Sequence, residues 1–354
     1  MKASKINVFL LMLCLVTGFT MSSCSDSDSD DKMVVDKSEL NAAILEANTL
    51  IADTEEGTAD GQYQHGSKAE LQKVVDVAQT VADNVGAAQI DVNNTVVALK
   101  AAVDAYKDAK VVPIAPDQLV GHWTFDEGEG TVVSDHSGNG FDGTFKNGPE
   151  AWGAGTPQWT ADRYGNDGKA VAFDKGANVE IPYNTSLNPS NMTVSVWVRI
   201  DEKRNNRFMG LHSWNGFKFE IQDANKAFFT INSTEGIYDR DTDPSLELDT
   251  WYHLVVTFGG GQTVFYINGV ETQKWEDTPG TAKPLTTPYN LVFGQDFPTN
   301  KYAATADNYD NDQIIPLDWG NYMHGAMDEV RFYKSVLTSS QVSSIYALEK
   351  VVEE

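Results

Sequence analysis

The chain has 354 residues, with 26 basic and 51 acidic side chains and a formal net charge of −25. Nucleic-acid affinity comes largely from cationic neutralisation of phosphates, so such a field makes DNA, RNA and sulfated glycans poor partners. Neutral sugars, cationic surfaces and divalent metals remain, and the length suggests about two globular domains.

Lys2 and Lys5 precede an almost unbroken apolar run from Val8 to Val16, and small and polar residues follow up to Cys24. That is the layout of a secretory signal peptide over residues 1–23. The run is too short to span a bilayer, which takes roughly twenty apolar residues. A buried N-terminal helix is the competing reading, and the basic start with Ser22-Ser23-Cys24 speaks against it. Met21-Ser22-Ser23-Cys24 resembles the bacterial lipobox, with Met21 where Leu is usual. The resemblance implies a diacylated Cys24 as the new N-terminus, and several acyl chains give a durable anchor where one does not. Cys14 is the other cysteine of the chain. With Cys14 removed and Cys24 lipidated, no thiol is left to pair, and stability must come from packing or metal. Within residues 24–34, Ser25 to Asp31 reads as a solvated, self-repelling acidic tether. Acidic residues after a lipidated cysteine are also similar to the surface-export signal of Bacteroidetes lipoproteins. That likeness implies the outer face of the outer membrane; a plain spacer is the alternative.

Residues 35–110 lack strand-like alternation. Leu40, Ile44, Ala47 and Ile51 recur at helical spacing, as do Leu71, Val74, Ala78 and Val81, and then Val92, Val96, Leu99, Val103 and Tyr106. Ser67-Lys68-Ala69-Glu70 fits a capping box opening the second helix. Three amphipathic helices joined by short loops predict an up-down-up bundle. Tyr63, Ser67 to Leu71, Ala88 to Val92 and Leu99 to Val103 resemble the FIVAR-type helical modules of bacterial surface proteins, which implies a spacer or stalk. Pro113 and Pro116 then stop the helix and favour an extended linker over residues 111–117.

From residue 118 to 349 the texture is strand-like. Thr193 to Ile200, Phe217 to Gln222, Ala227 to Asn232 and Trp251 to Phe258 alternate as half-buried strands. Thr263 to Ile267, Leu291 to Gly294 and Ala326 to Tyr333 add further strands, and Asn268-Gly269 is a hairpin turn. Thr338 or Ser339 caps a short final helix. Many short strands with almost no internal helix predict an all-β antiparallel sandwich or barrel behind the three-helix bundle. Seven ordered blocks carry a resemblance here. They are His122 to Gly128, Asp135 to Gly143, Ala170 to Phe173, Met192 to Val198, Trp251 to Val255, Tyr266 to Gly269 and His324 to Tyr333. Together they are similar to the LamG-like, concanavalin A-like lectin/glucanase jelly roll, a fold that hosts lectins, enzymes and adhesive modules alike.

That family often holds a structural calcium near its first strand, so the resemblance implies Ca²⁺ at Asp126, Asn139, Asp142 and Asp328. Oxygen-only donors suit the ion, although Asp and Asn also make turns around glycines with no ion at all. A retaining glycoside hydrolase would need two carboxylates about 5–5.5 Å apart. Glu220 and Asp223 have odd spacing and point to opposite faces, and Asp328-Glu329 alternates in the same way. His122, His253 and His324 fall in or beside strands, where packing or a backbone hydrogen bond accounts for them. The residues therefore predict a non-enzymatic binding protein with a neutral glycan as ligand. An adhesive protein that binds another protein is the alternative, and a hydrolase the weaker one. Gln295 to Tyr322 is a long irregular insertion rich in aromatics, and such insertions are often functional. Trp214, Trp275, Tyr302, Tyr309, Trp319 and Tyr322 form the expected ligand surface, although each ring could also serve to pack its loop.

Overall fold

A computed structural model of the chain describes residues 35–57, 61–243, 245–303 and 315–350. The expected signal segment, Cys24, the acidic tether and Tyr309 lie outside the described residues. Among the described residues no helix is long and apolar enough to cross a membrane.

Helices α1 (Ser38–Asp53), α2 (Ser67–Asp83) and α3 (Gln89–Asp108) form the bundle. Leu40, Ala43, Ile44 and Ala47 meet Leu71, Val75 and Ala78, and Val92, Val96, Leu99, Val103 and Tyr106 complete the core. The periodicity is right except in α2, where Val75 is buried and Val74 only half so. The expected capping box does not form. Gly66, in the left-handed region at φ 85°, caps α2 instead. The Lys68 N–H is taken by Glu56 Oε1 at 2.7 Å, so Glu70 is left to pair with Lys73.

The strands, in chain order, begin with β1 (Leu119–Trp123), β2 (Val132–Val133), β3 (Gly143–Lys146), β4 (Gln158–Thr160), β5 (Ala170–Phe173) and β6 (Asn178–Ile181). Next come β7 (Met192–Ile200), β8 (Asn206–Leu211), β9 (Phe217–Ile221), β10 (Ala227–Ser233), β11 (Gly236–Asp241) and β12 (Trp251–Gly259). The series ends with β13 (Gln262–Ile267), β14 (Val270–Trp275), β15 (Leu291–Phe293), β16 (Tyr302–Ala303), β17 (Ile315–Pro316) and β18 (Gly325–Tyr333). Helix α4 (Ser339–Glu349) closes the domain. Its N-cap is Thr338, with the reciprocal Thr338–Gln341 capping box formed.

Two eight-stranded antiparallel sheets pack face to face. The first runs β14-β13-β12-β7-β18-β5-β4 with β1 also on β18, and the second runs β11-β10-β9-β8-β15-β6-β3-β2. Inward residues of both sheets, among them Val194, Val196, Phe217, Phe219, Phe265, Phe293 and Phe332, make one core. This is the jelly-roll-like sandwich that the resemblance implied, and one of the two architectures the strand pattern allowed. Asn268 and Gly269 both take positive φ, 50° and 76°, as the two-residue hairpin between β13 and β14 requires.

Alternation also dictates what lies outside. On the first sheet the outward row of β7 is Thr193, Ser195, Trp197 and Arg199, and α4 covers part of it: Val342 and Ile345 pack on Val255, Val264, Tyr266 and Tyr333. Linker residue Ile114 joins this cluster. On the second sheet Lys218 and Glu220 face outward from β9, between the inward Phe217, Phe219 and Ile221.

Candidate functional site

The outer face of the second sheet carries a buried charged network under a belt of rings. The register of β8 and β9 sets Arg207 opposite Glu220. Arg207 Nε donates to Glu220 Oε2 at 3.0 Å, and Lys218 Nζ donates to Glu220 Oε1 at 2.6 Å. The other end of the guanidinium pairs with Asp296 and donates to the Trp319 carbonyl at 2.6 Å. Asp296 Oδ1 in turn accepts from the Tyr302 hydroxyl and the Asn321 N–H. Asp296 is fully buried, and Lys218 and Glu220 are nearly so.

Backbone features bring these parts together. Gly210 faces Asp296 so closely that an added Cβ would lie 2.5 Å from the Asp296 carbonyl oxygen. Only glycine lets that loop lie on β8. His212 and Ser213, at φ 56° and 37°, both sit in the left-handed region. Such backbone costs on the order of 1–3 kcal/mol per residue and gathers at functional sites. Here it carries Trp214 over the cations: the Arg207 guanidinium lies 5.3 Å and the Lys218 ammonium 5.9 Å from its ring.

Burial lowers the Lys218 ammonium, with the Glu220 carboxylate pulling the other way. Burial would lower the Arg207 guanidinium too, but Asp296 and Glu220 beside it leave it raised. The Tyr302 hydroxyl is held well above its ordinary value by burial and by the Asp296 carboxylate it touches. Two cations face two anions, so the network is neutral in sum.

The rings above it touch in series. Tyr322 lies 5.1 Å from Trp152, Trp152 4.8 Å from Tyr302, Tyr302 5.8 Å from Phe297, and Phe297 6.1 Å from Trp214. Trp319, bound to the network through its backbone, is 47 % exposed. Trp214, Tyr302, Tyr322 and Trp152 are each half-buried.

Of the expected ligand surface, the structure thus gathers Trp214, Tyr302, Trp319 and Tyr322. Trp275 stands elsewhere, because β14 runs on to include it at the sandwich edge. Its indole N–H donates to the Asp241 carbonyl at 2.8 Å and Arg240 lies over its ring. Sequence reasoning missed Arg207, Lys218, Asp296 and Trp152. The signal for Lys218 and Glu220 was present, since two charges two apart in a strand must share the face opposite its phenylalanines.

The four residues expected to hold calcium do not share a site. Asn139 turns its amide nitrogen to the Leu119 and Val120 carbonyls, at 3.1 and 2.9 Å, and Asp142 accepts the Asp135 N–H at 2.8 Å. Both serve the loop built on Asp135. Burial would raise that carboxyl, but the N–H groups of Phe141 and His122 and the Ser137 hydroxyl hold it low. Asp126 and Asp328 do line one cleft, with Asp162, Arg163, Lys169 and Glu329. Glu329 is there because β18 bulges between Asp328 and Arg331 and takes φ 48° at Glu329. Simple alternation would have sent these two carboxylates to opposite faces. Among the described residues no three or more His, Cys, Asp or Glu side chains gather as a metal would require.

The histidines bond to side chains rather than backbone. His122 meets Glu329 at 2.8 Å, His253 meets Ser195 at 2.7 Å and His324 meets Glu202 at 3.0 Å.

Residues 173–343 match the family model described as the concanavalin A-like lectin/glucanases superfamily. No curated protein matches the chain. Among solved structures, the chain is similar to domain 4 of AbnA, an extracellular arabinanase of Geobacillus stearothermophilus, in complex with arabinotriose. That match has 20 % identity and a TM-score of 0.47, and covers 65 % of this chain and 98 % of that one. The binding domain of Paraclostridial Mosquitocidal Protein 1 matches at 16 % identity and TM-score 0.46, over 65 % of this chain and 52 % of that one. The ligand-binding domain of botulinum neurotoxin serotype D with N-acetylneuraminic acid matches at 14 % and 0.44, over 66 % and 52 %. The chain spans about half the length of these two toxin domains.

Proposed function

We propose that the protein binds a neutral glycan on the outer face of its second sheet, as a non-enzymatic protein lipid-anchored through Cys24 at the cell surface. The observation that carries this reading is the series of rings Tyr322, Trp152, Tyr302, Phe297 and Trp214 over a network whose charges cancel. Rings offer the apolar faces of a sugar a surface to stack on, and a balanced network favours neither an anionic nor a cationic ligand. Catalysis is disfavoured by the same network. Glu220 is held by Lys218 and Arg207, and Asp296 by Arg207, Tyr302 and Asn321, so every carboxylate oxygen already has a protein donor. General acid–base work needs a carboxyl free to meet the substrate.

Affinity electrophoresis of the full chain against a panel of neutral polysaccharides tests the reading. One glycan is expected to retard it without release of reducing ends. Trp214→Ala and Trp319→Ala are expected to abolish most of the retardation, whereas Trp275→Ala leaves it intact. Equal retardation of all four proteins, or none of any, would refute the proposed surface.

A further inference from the structure

The cleft of Asp126, Asp162, Arg163, Lys169, Asp328 and Glu329 lies on the other sheet from the ring belt, between β1, the turn before β5 and the bulge of β18. It holds two of the four residues at which the resemblance implies calcium, Asp126 and Asp328, and its carboxylates meet cations or N–H donors of the protein. Arg163, its side chain 6 % exposed, pairs with Asp328. The same guanidinium donates from Nε to the Glu349 carbonyl at 2.6 Å and from Nη2 to the Tyr164 hydroxyl at 3.2 Å. Its plane lies 4.4 Å from the Tyr164 ring and 5.0 Å from that of Trp197. Lys169 Nζ donates to the Asp126 carbonyl at 2.8 Å and stands 3.7 Å from its carboxylate. Asp162 spends both oxygens on its own turn, accepting from the N–H groups of Tyr164 and Asn166 at 2.8 Å and from the Asn166 amide at 3.1 Å. Glu329 accepts from His122 at 2.8 Å and Arg331 at 3.2 Å.

Calcium needs six to eight oxygens; here Arg163 holds one oxygen of Asp328, Lys169 stands against Asp126, and Asp162 gives both oxygens to its own turn. We infer that Arg163 and Lys169 act as the resident cations of this cleft, tying β18, the first strand and the end of α4 together, and that the sandwich is stable without calcium. The pairing is directional in a way an ion is not: the planar guanidinium stacks on rings while it forks to a carboxylate and a carbonyl.

The test is calcium uptake by equilibrium dialysis together with thermal unfolding of the full chain in calcium and in EGTA. The wild type is expected to take up no stoichiometric calcium at this cleft and to melt at the same temperature in both. Arg163→Met is expected to melt several degrees lower in EGTA and to regain part of that loss in calcium, as the vacated carboxylates accept the ion. Arg163→Met/Asp328→Asn should regain nothing. Should Arg163→Met fail to fold, Lys169→Met reads the same exchange at the exposed end of the cleft through uptake alone. Wild-type uptake of one calcium with a rise in melting temperature, lost in Asp328→Asn, would overturn the inference. So would a lack of calcium response in both single variants.

Discussion

The two outer faces of the sandwich are built alike and finished differently. Each carries a buried network of arginine and carboxylate that strand alternation sends outward, away from the phenylalanine core. On the first sheet a helix closes the network. Trp197 and Arg331 both donate to the Glu349 carboxylate, at 2.9 and 2.6 Å, and α4 holds Glu349 there. On the second sheet loops close it, and they do so with aromatic rings that keep part of their surface in water. A charged network therefore does not by itself mark a binding face. What distinguishes the second sheet is the character of its cover: a ring series carried by loops, and a tryptophan left half in solvent.

The comparison can be broken at either network. Arg207→Ala removes the one cation shared by Glu220 and Asp296 and leaves a fully buried carboxylate unpaired. It is expected to cost about 4 kcal/mol by urea unfolding, in the range seen when one partner of a buried pair is lost. A loss under 1 kcal/mol would mean that the second face is wetter than the geometry implies.

The first face should answer to acid through a buried histidine. His253 is fully buried, and burial, aided by Arg331 and Arg163, pushes its imidazole down to about 3. A histidine whose pKa falls on folding stabilises fully above its unfolded value, near 6.5, and loses that contribution as pH drops toward 3. His253→Gln is expected to flatten the stability profile between those limits by on the order of 5 kcal/mol. An unchanged slope would place the acid sensitivity elsewhere.

The smallest effect concerns the lid itself. Thr338→Ala removes the hydroxyl that accepts the Gln341 N–H at the start of α4 and keeps the reciprocal bond from the Thr338 N–H to the Gln341 side chain. It is expected to cost about 1 kcal/mol and to leave polysaccharide retardation on the opposite face unchanged. Weakened retardation would show that the two faces are coupled through the core.

Much of this fold was legible beforehand because alternation is a local signal. Strands at Met192–Ile200, Phe217–Ile221 and Trp251–Gly259 fall where the pattern put them, and so does the Thr338 cap. The site was legible in its rings and not in its charges. Trp214, Tyr302, Trp319 and Tyr322 stood out as aromatics in loops, whereas Arg207 and Asp296 are separated by a long stretch of chain and meet only in the folded sheet. Local pattern failed where the backbone departs from its repeat. The bulge at Glu329 put two carboxylates in one cleft that a regular strand would have parted, and Glu56, rather than Glu70, reached the start of α2.

The linker has a mechanical consequence. Ile114 and Leu119 pack into the same cluster as Val342 and Ile345, Gln341 donates to the Pro113 carbonyl at 3.1 Å, and Gln64 of the bundle reaches Ser343 at 3.3 Å. A pull on the helical bundle is therefore delivered first to α4 and the first sheet. The ring belt lies on the far side of the core, out of that load path, so tension on the bundle would strip the helix before it deformed the ring belt.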